Sequence, residues 1–226
     1  KTQKTVEIAL FSDERFQTIT GFGGSFTEAS AHLLNQLSLE NRNKILEAYF
    51  GESGSGYSLT RTHINSCDFS LTNYSYAPVA GDRELKHFSI EEDMDDIIPM
   101  IRDAMAISKD GFRIISSPWT APPWMKDNND WRGGKLLPEY YETWALFFSK
   151  YLHAYRDEGI DIWAITVENE PLGNDSNWES MHFTPQEQNE FVVNHLGPKL
   201  RANGHDVKIF GYDQNRDDEM IEWVDA

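Results

Sequence analysis

Trp163-Ala164-Ile165-Thr166-Val167-Glu168-Asn169-Glu170-Pro171 is the stretch on which the reading of this chain turns. Its first half is apolar, partly β-branched and uncharged, the pattern of a strand covered on both faces. Glu168, Asn169 and Glu170 follow at once. Pro171 then ends the run, because it has no N–H for a ladder and pushes Glu170 toward an extended conformation. Two carboxylates and an amide thus stand at the carboxyl end of a buried strand, where α/β sheets bind their ligands. Along an extended chain Glu168 and Glu170 share one face and Asn169 takes the other, unless a turn has already begun.

The same unit recurs on both sides of that stretch: strand, polar loop, helix, glycine, next strand. Strands are expected near residues 18–23, 57–63, 112–117, 161–167 and 207–212. Helices are expected from Thr27 to Leu34, from an N-cap at Ser38 to Gly51, and from a Ser89/Glu92 capping box to about Gly111. Ile97, Ile101, Ala104 and Met105 mark the buried stripe of the third of these. A long helix from Pro138 to Glu158 carries Tyr141, Trp144, Phe148, Tyr151, Leu152 and Tyr155 at helical spacing, which reads as core. Thr184-Pro185-Gln186-Glu187 opens a helix running to about Gly204, and a last helix begins near Asp217. Gly21-Phe22-Gly23-Gly24 lacks both dinucleotide spacing and a P-loop lysine, so its glycines read as a close approach to a neighbouring strand. Val6–Leu10 reads as a short strand outside this pattern.

Alternating βα units mean parallel strands covered by helices. Polar and aromatic residues collect after four or five strands rather than at one switch point, which favours a (β/α)8 TIM barrel over a doubly wound sheet. Arg61 and His63 lie toward the end of the second strand. An arginine there needs a partner, and either a site carboxylate or a tie between strands meets that need. Trp119 and Trp124 sit in a loop stiffened by Pro118, Pro122 and Pro123, and either ring could serve as a cap on the core.

With 37 acidic and 20 basic residues among 226, a formal charge of -17 argues against nucleic acid or an anionic membrane surface as partner. No apolar run approaches the length of a membrane span. The single cysteine, Cys67, leaves no intrachain disulfide and no thiolate metal site. Asn73-Tyr74-Ser75 and Asn174-Asp175-Ser176 fit the glycosylation acceptor pattern, which is common by chance. The expected division is an N-terminal strand segment over residues 1–15 and an incomplete barrel domain over 16–226. Five strands leave two unpaired edges, so the chain reads as a piece of a longer polypeptide, one that alone would aggregate or stay molten.

Four blocks carry a family likeness: Gly21-Phe22-Gly23-Gly24 with Thr27, Ser66-Cys67-Asp68-Phe69-Ser70, Ser117-Pro118-Trp119-Thr120, and Val167-Glu168-Asn169-Glu170-Pro171. In their order and separations the chain resembles glycoside hydrolase family 30, which includes glucosylceramidases, β-glucosidases and endo-β-1,6-glucanases. The resemblance implies a retaining hydrolase of β-glucosidic bonds, with Glu170 as general acid/base and Asn169 bonded to the sugar 2-hydroxyl. Asp68, Trp119 and Arg61 would line the glycone subsite. The nucleophilic glutamate would follow a seventh strand, past Ala226, so the remainder of the barrel is needed. A β-linked glucoside, glucan or glycolipid is the implied substrate, no metal or cofactor is called for, and a secreted, periplasmic or lysosomal setting is expected. Glu168 is expected to be structural, meeting Arg61 or a neighbouring strand. The alternatives are a non-catalytic carbohydrate-binding fragment of the same fold and, with less support, a metal-dependent hydrolase using His63 and His182.

Overall fold

Helices separate successive strands, and a crossover of that length returns the chain parallel to its start. The computed structural model describes residues 6–173, 175–215 and 218–225. In it β1 (Ser25–Phe26), β2 (Leu59–Ile64), β3 (Arg113–Pro118), β4 (Ala164–Thr166) and β5 (Lys208–Phe210) form one parallel sheet in chain order. Between them run α1 (Glu28–Asn35) and α2 (Leu39–Phe50), then α3 (Ile97–Ile107), then α4 (Tyr141–Asp157), then α5 (Pro185–Phe191) and α6 (Gly197–Ala202) joined by a π-turn. After β5 comes α7 (Met220–Asp225); its expected start, Asp217, lies outside the described residues, as does Asn174. This is the strand–helix order of a TIM barrel, with five of its eight strands on the page.

The helix starts follow from their caps. Thr27 accepts from the Ser30 N–H, Ser38 from Asn41, and Thr184 closes a full capping box with Glu187. The Ser89/Glu92 box does not form. Ser89 Oγ accepts from the Glu91 N–H instead, a 3-10 turn covers Glu91–Met94, and α3 starts only at Ile97. Pro99 is the reason: a helix already running from residue 90 would need its missing N–H and would clash with its ring. Ile97, Ile101 and Ala104 are fully buried as expected, whereas Met105 is 42% exposed and Met100 packs inward in its place.

The α4 stripe is core throughout. Trp144, Phe148, Tyr151 and Tyr155 are wholly buried, each contributing on the order of 2–3 kcal/mol of burial. The Tyr151 hydroxyl ties the helix to β3 through Ser116 Oγ at 2.9 Å.

Two expectations at the start of the chain are corrected. The first strand is Ser25–Phe26, not 18–23; pairing with β2 reaches back only to the carbonyls of Phe22 and Gly24, which accept from Ser58 and Arg61. Thr18–Thr20 are exposed and give the sheet no apolar face to bury. The glycines do serve close approach: a Cβ on Gly23 would stand 1.8 Å from the Leu59 carbonyl oxygen. Val6–Leu10 is exposed and joins no strand among the described residues, and an isolated strand has no ladder to hold it.

Candidate active site

Register carries Arg61 on β2 opposite Ile115 on β3, and His63 opposite Ser117. Pleat alternation therefore sets Arg61, His63 and Ser117 on one face. On β4 the alternation breaks. Trp163 N–H reaches Ile114 O, while Asn169 N–H reaches Pro118 O at 2.7 Å, so six residues of one strand run past four of the other. That bulge re-aims the end of β4, as bulges beside functional sites do. Asn169 consequently turns toward Arg61.

Arg61 is the hub of the cluster. Its Nε donates to Ser117 Oγ at 3.0 Å, and its Nη2 to Asn169 Oδ1 at 2.9 Å and Asp213 Oδ2 at 2.6 Å. Ser117 Oγ donates to the same Asp213 oxygen at 3.1 Å. The guanidinium carbon lies 4.8 Å from the Trp119 ring centroid, a cation–π distance. The Trp119 side chain also hydrogen-bonds Asp68. Arg61, Asp68, Trp119 and Asn169 are thus brought together, and both sequence readings of Arg61 hold: it finds a carboxylate and it ties strands. Asp68 is pushed above the usual carboxylate range by desolvation, helped by the charge of Glu179 and opposed by the Trp119 bond.

Glu170 follows directly. Its backbone is not in the extended conformation expected before Pro171 but sits at φ 51° in a turn closed by Gly173, a left-handed conformation unusual for a non-glycine residue and enriched at functional sites. Its N–H donates to Asp213 O at 2.8 Å, and its carbonyl accepts from Gly173. The turn is therefore pinned to the same Asp213 whose side chain holds Arg61. Trp124, by contrast, packs edge-on against Tyr140 and donates its indole N–H to Ala77 O, a structural role.

Glu168 departs from expectation. It does not meet Arg61, whose Nε and Nη2 donate to Ser117, Asn169 and Asp213 instead. It is fully buried, and neither carboxyl oxygen has a hydrogen-bond partner among the described residues. Burial drives its pKa well up; the Lys126 ammonium works against this and Asp213 adds to it. Lys126 is itself buried, donates to the carbonyls of Asp130 and Ser180, and has its pKa lowered by burial to about 8. His63 is also accounted for. Its Nδ1 bonds Asn65 O at 2.6 Å, its Nε2 accepts the Glu28 N–H at 3.2 Å, and burial lowers its pKa, so neither nitrogen is open to a metal. His182 bonds Asp175 through Nε2.

Residues 19–226 match the sequence profile of the glycosyl hydrolase family 30 TIM-barrel domain. The chain belongs to that family. It is 37% identical over 218 residues to the lysosomal acid glucosylceramidase of Mus musculus, covering 92% of this chain and 42% of that protein. It is 33% identical over 210 residues to an endo-1,6-beta-D-glucanase of Neurospora crassa, covering 90% of this chain and 44% of that one. The solved structure of the endo-beta1,6-glucanase BT3312 superposes with a TM-score of 0.85 at 35% identity, over 91% of this chain and 46% of the other. The chain spans less than half the length of these relatives.

Within this family 30 chain, Asp213 is the residue that the sequence left unassigned. It stands just past β5, the position that supplies site residues after the other strands. That placement was its one signal; its partner Arg61 is 152 residues away.

Proposed function

We propose that the protein is a retaining β-glycosidase acting on β-glucosides, with Glu170 as general acid/base. The observation that supports this is the Arg61 cluster at the carboxyl ends of β2 to β5, with Asn169 and Glu170 consecutive at its edge.

Asn169 shows how the cluster prepares for a sugar. Arginine only donates, so the amide must turn its oxygen to Arg61 and leave Nδ2 to offer. An NH2 donor aimed at the 2-hydroxyl oxygen gains strength as charge develops at the anomeric carbon. Asp68 accepts from ring hydroxyls, and Trp119, its orientation held by Arg61 and Asp68, covers the apolar face of the ring.

In the first step a second carboxylate attacks the anomeric carbon, and the Glu170 carboxyl gives its proton to the departing glycosidic oxygen. In the second step Glu170, now a carboxylate, takes a proton from water as that water's oxygen displaces the enzyme ester, restoring both groups. The two carboxyls of such a pair stand about 5–5.5 Å apart. The attacking carboxylate comes from a barrel strand beyond the five described. A glucosylceramide, a simple β-glucoside and a β-1,6-glucan are all substrates of this bond type, in keeping with relatives named for glucosylceramide and glucan cleavage.

Glu170→Gln in the full-length protein tests the assignment. Hydrolysis of substrates with poor leaving groups should fall about 10²- to 10⁴-fold. Activated aryl glucosides should be rescued by azide, giving the β-glucosyl azide. Near-normal rates on natural glucosides would remove Glu170 from the acid role.

A further inference from the structure

Asp68, which the Trp119 side chain hydrogen-bonds, also lines a cavity of about 760 Å³, within the range of roughly 300–1,000 Å³ typical of small-molecule sites. Three loops build it, one each after β2, β3 and β4. Asp68 and Asn73 come from the first, Trp131 and Arg132 from the second, Trp178 and Glu179 from the third. Its walls are bonded to one another rather than merely adjacent. Ser180 N–H reaches Trp131 O at 3.1 Å, Gly133 N–H reaches Ser180 Oγ at 2.9 Å, and Asn73 Nδ2 reaches Glu179 Oε1 at 2.5 Å. The buried Lys126 ammonium clamps the carbonyls of Asp130 and Ser180 from beneath.

The lining chemistry narrows the occupant. Glu179 is a carboxylate held 5% exposed in the wall, with a side-chain amide as its bonded partner. Trp131 and Trp178 are half-buried, and neither ring stacks on another aromatic among the described residues. Arg132 is drawn to Asp130, so the cavity keeps a negative balance from Asp68 and Glu179. Phosphorylated and uronic-acid sugars are repelled by such a balance, and an acyl chain would strand these carboxylates without partners. Indole faces for C–H surfaces and carboxylates for paired hydroxyls suit a neutral pyranose. Asp68 lines this cavity and is bonded to Trp119, so a ring held here neighbours the one proposed over Trp119.

We propose that this cavity is a second sugar subsite, holding a neutral hexopyranose unit next to the ring bound by Arg61, Asp68 and Trp119. It deepens the glycosidase reading and rests on it: the protein favours β-linked gluco-oligosaccharides over a monoglucoside on a lipid.

The test uses the full-length protein with Trp178→Ala and, as a milder change, Trp131→Phe. The ratio of kcat/KM on a β-linked glucotriose to that on an aryl monoglucoside should fall about tenfold in Trp178→Ala and less in Trp131→Phe. An unchanged ratio in both variants, with Glu170→Gln still inactivating, overturns the subsite and leaves the glycosidase reading in place. If the wild-type protein hydrolyses neither substrate, that reading falls, and tryptophan-fluorescence titration with glucotriose decides the subsite separately. Saturable binding weakened about tenfold by Trp178→Ala supports it, and equal binding by wild type and variant overturns it.

Discussion

Asp93 lies outside the proposed site yet determines where one wall of it stands. It is fully buried and accepts three tyrosine hydroxyls: Tyr74 at 3.0 Å, and Tyr76 and Tyr155 at 2.5 Å each. Tyr74 and Tyr76 belong to the loop after β2 that carries Asp68 and Asn73, and Tyr155 belongs to α4. Burial raises the Asp93 pKa from 3.8 to about 6 even though all three hydroxyls pull it down. Because the folded pKa exceeds the unfolded one, the fold favours the protonated acid. That stability is fully present below the unfolded value and is lost as pH rises through about 6. The gap, about 6 minus 3.8, is roughly 2 pKa units, or about 3 kcal/mol at 1.36 kcal/mol per unit. About 2 kcal/mol of that loss develops between about pH 4.5 and about pH 7.5.

Asp93→Asn removes this titration while keeping the side chain's size. Urea denaturation of wild type and variant should therefore show the wild type losing about 2 kcal/mol relative to the variant between those two pH values. Tyr155→Phe supplies the complement. At about pH 7.5 it removes a bond to a charged acceptor and should cost about 1.5–3 kcal/mol; at about pH 4.5 the acceptor is mostly neutral and the cost should drop to about 0.5–1.5 kcal/mol. A wild-type-minus-Asn difference that stays flat with pH, or a Tyr155→Phe cost that grows on acidification, would refute the reasoning.

Arg61→Lys keeps the charge but cannot serve Ser117, Asn169 and Asp213 together, so kcat/KM on a β-glucoside should fall about 10- to 100-fold, measured by steady-state kinetics. Glu168→Gln removes a buried carboxyl whose pKa burial raises, so the stability of the wild type relative to the variant should decline as pH rises. At higher pH the wild type, losing stability as Glu168 ionises, should fall below the variant in urea midpoint. Gly23→Ala drives a methyl into the Leu59 carbonyl and should cost about 1–3 kcal/mol, read as a lowered thermal midpoint.

The parts of this fold that local chemistry dictates were open to reading in one dimension. Thr27, Ser38 and Thr184 cap helices because an oxygen three residues before a free N–H needs nothing distant. Strands two to five are legible as short runs between a helix-ending glycine and a polar loop, though β4 and β5 are shorter than their patterns suggest. What escaped depends on contacts between distant residues. Asp213 becomes a site residue only when Arg61, from the second strand, reaches it. The Ser89/Glu92 pattern is a sound cap by itself, but Pro99 and the inward pull on Asp93 override it. Glu168 looks like a partner for Arg61 until the bulge in β4 turns Asn169 to that place.

The same cluster says where the second catalytic carboxylate cannot be. Asp213 presents Oδ2 to both Arg61 and Ser117, which ties it into the cluster as the anchor of Arg61. Glu168 is fully buried with no hydrogen-bond partner among the described residues, and burial raises its pKa, which disfavours the charged form that attack needs. Asp68 is engaged by Trp119 and, in the proposed reading, accepts from sugar hydroxyls. Each of these three carboxyls thus has another task in the proposed site. The sheet has a free edge on β5, where Phe210 is 36% exposed while Ile165 at the centre is wholly buried. A barrel closes across such an edge, and the strands that close it face the Arg61 cluster from the opposite side. The nucleophile is therefore expected to come from across that edge, on a strand end facing Glu170.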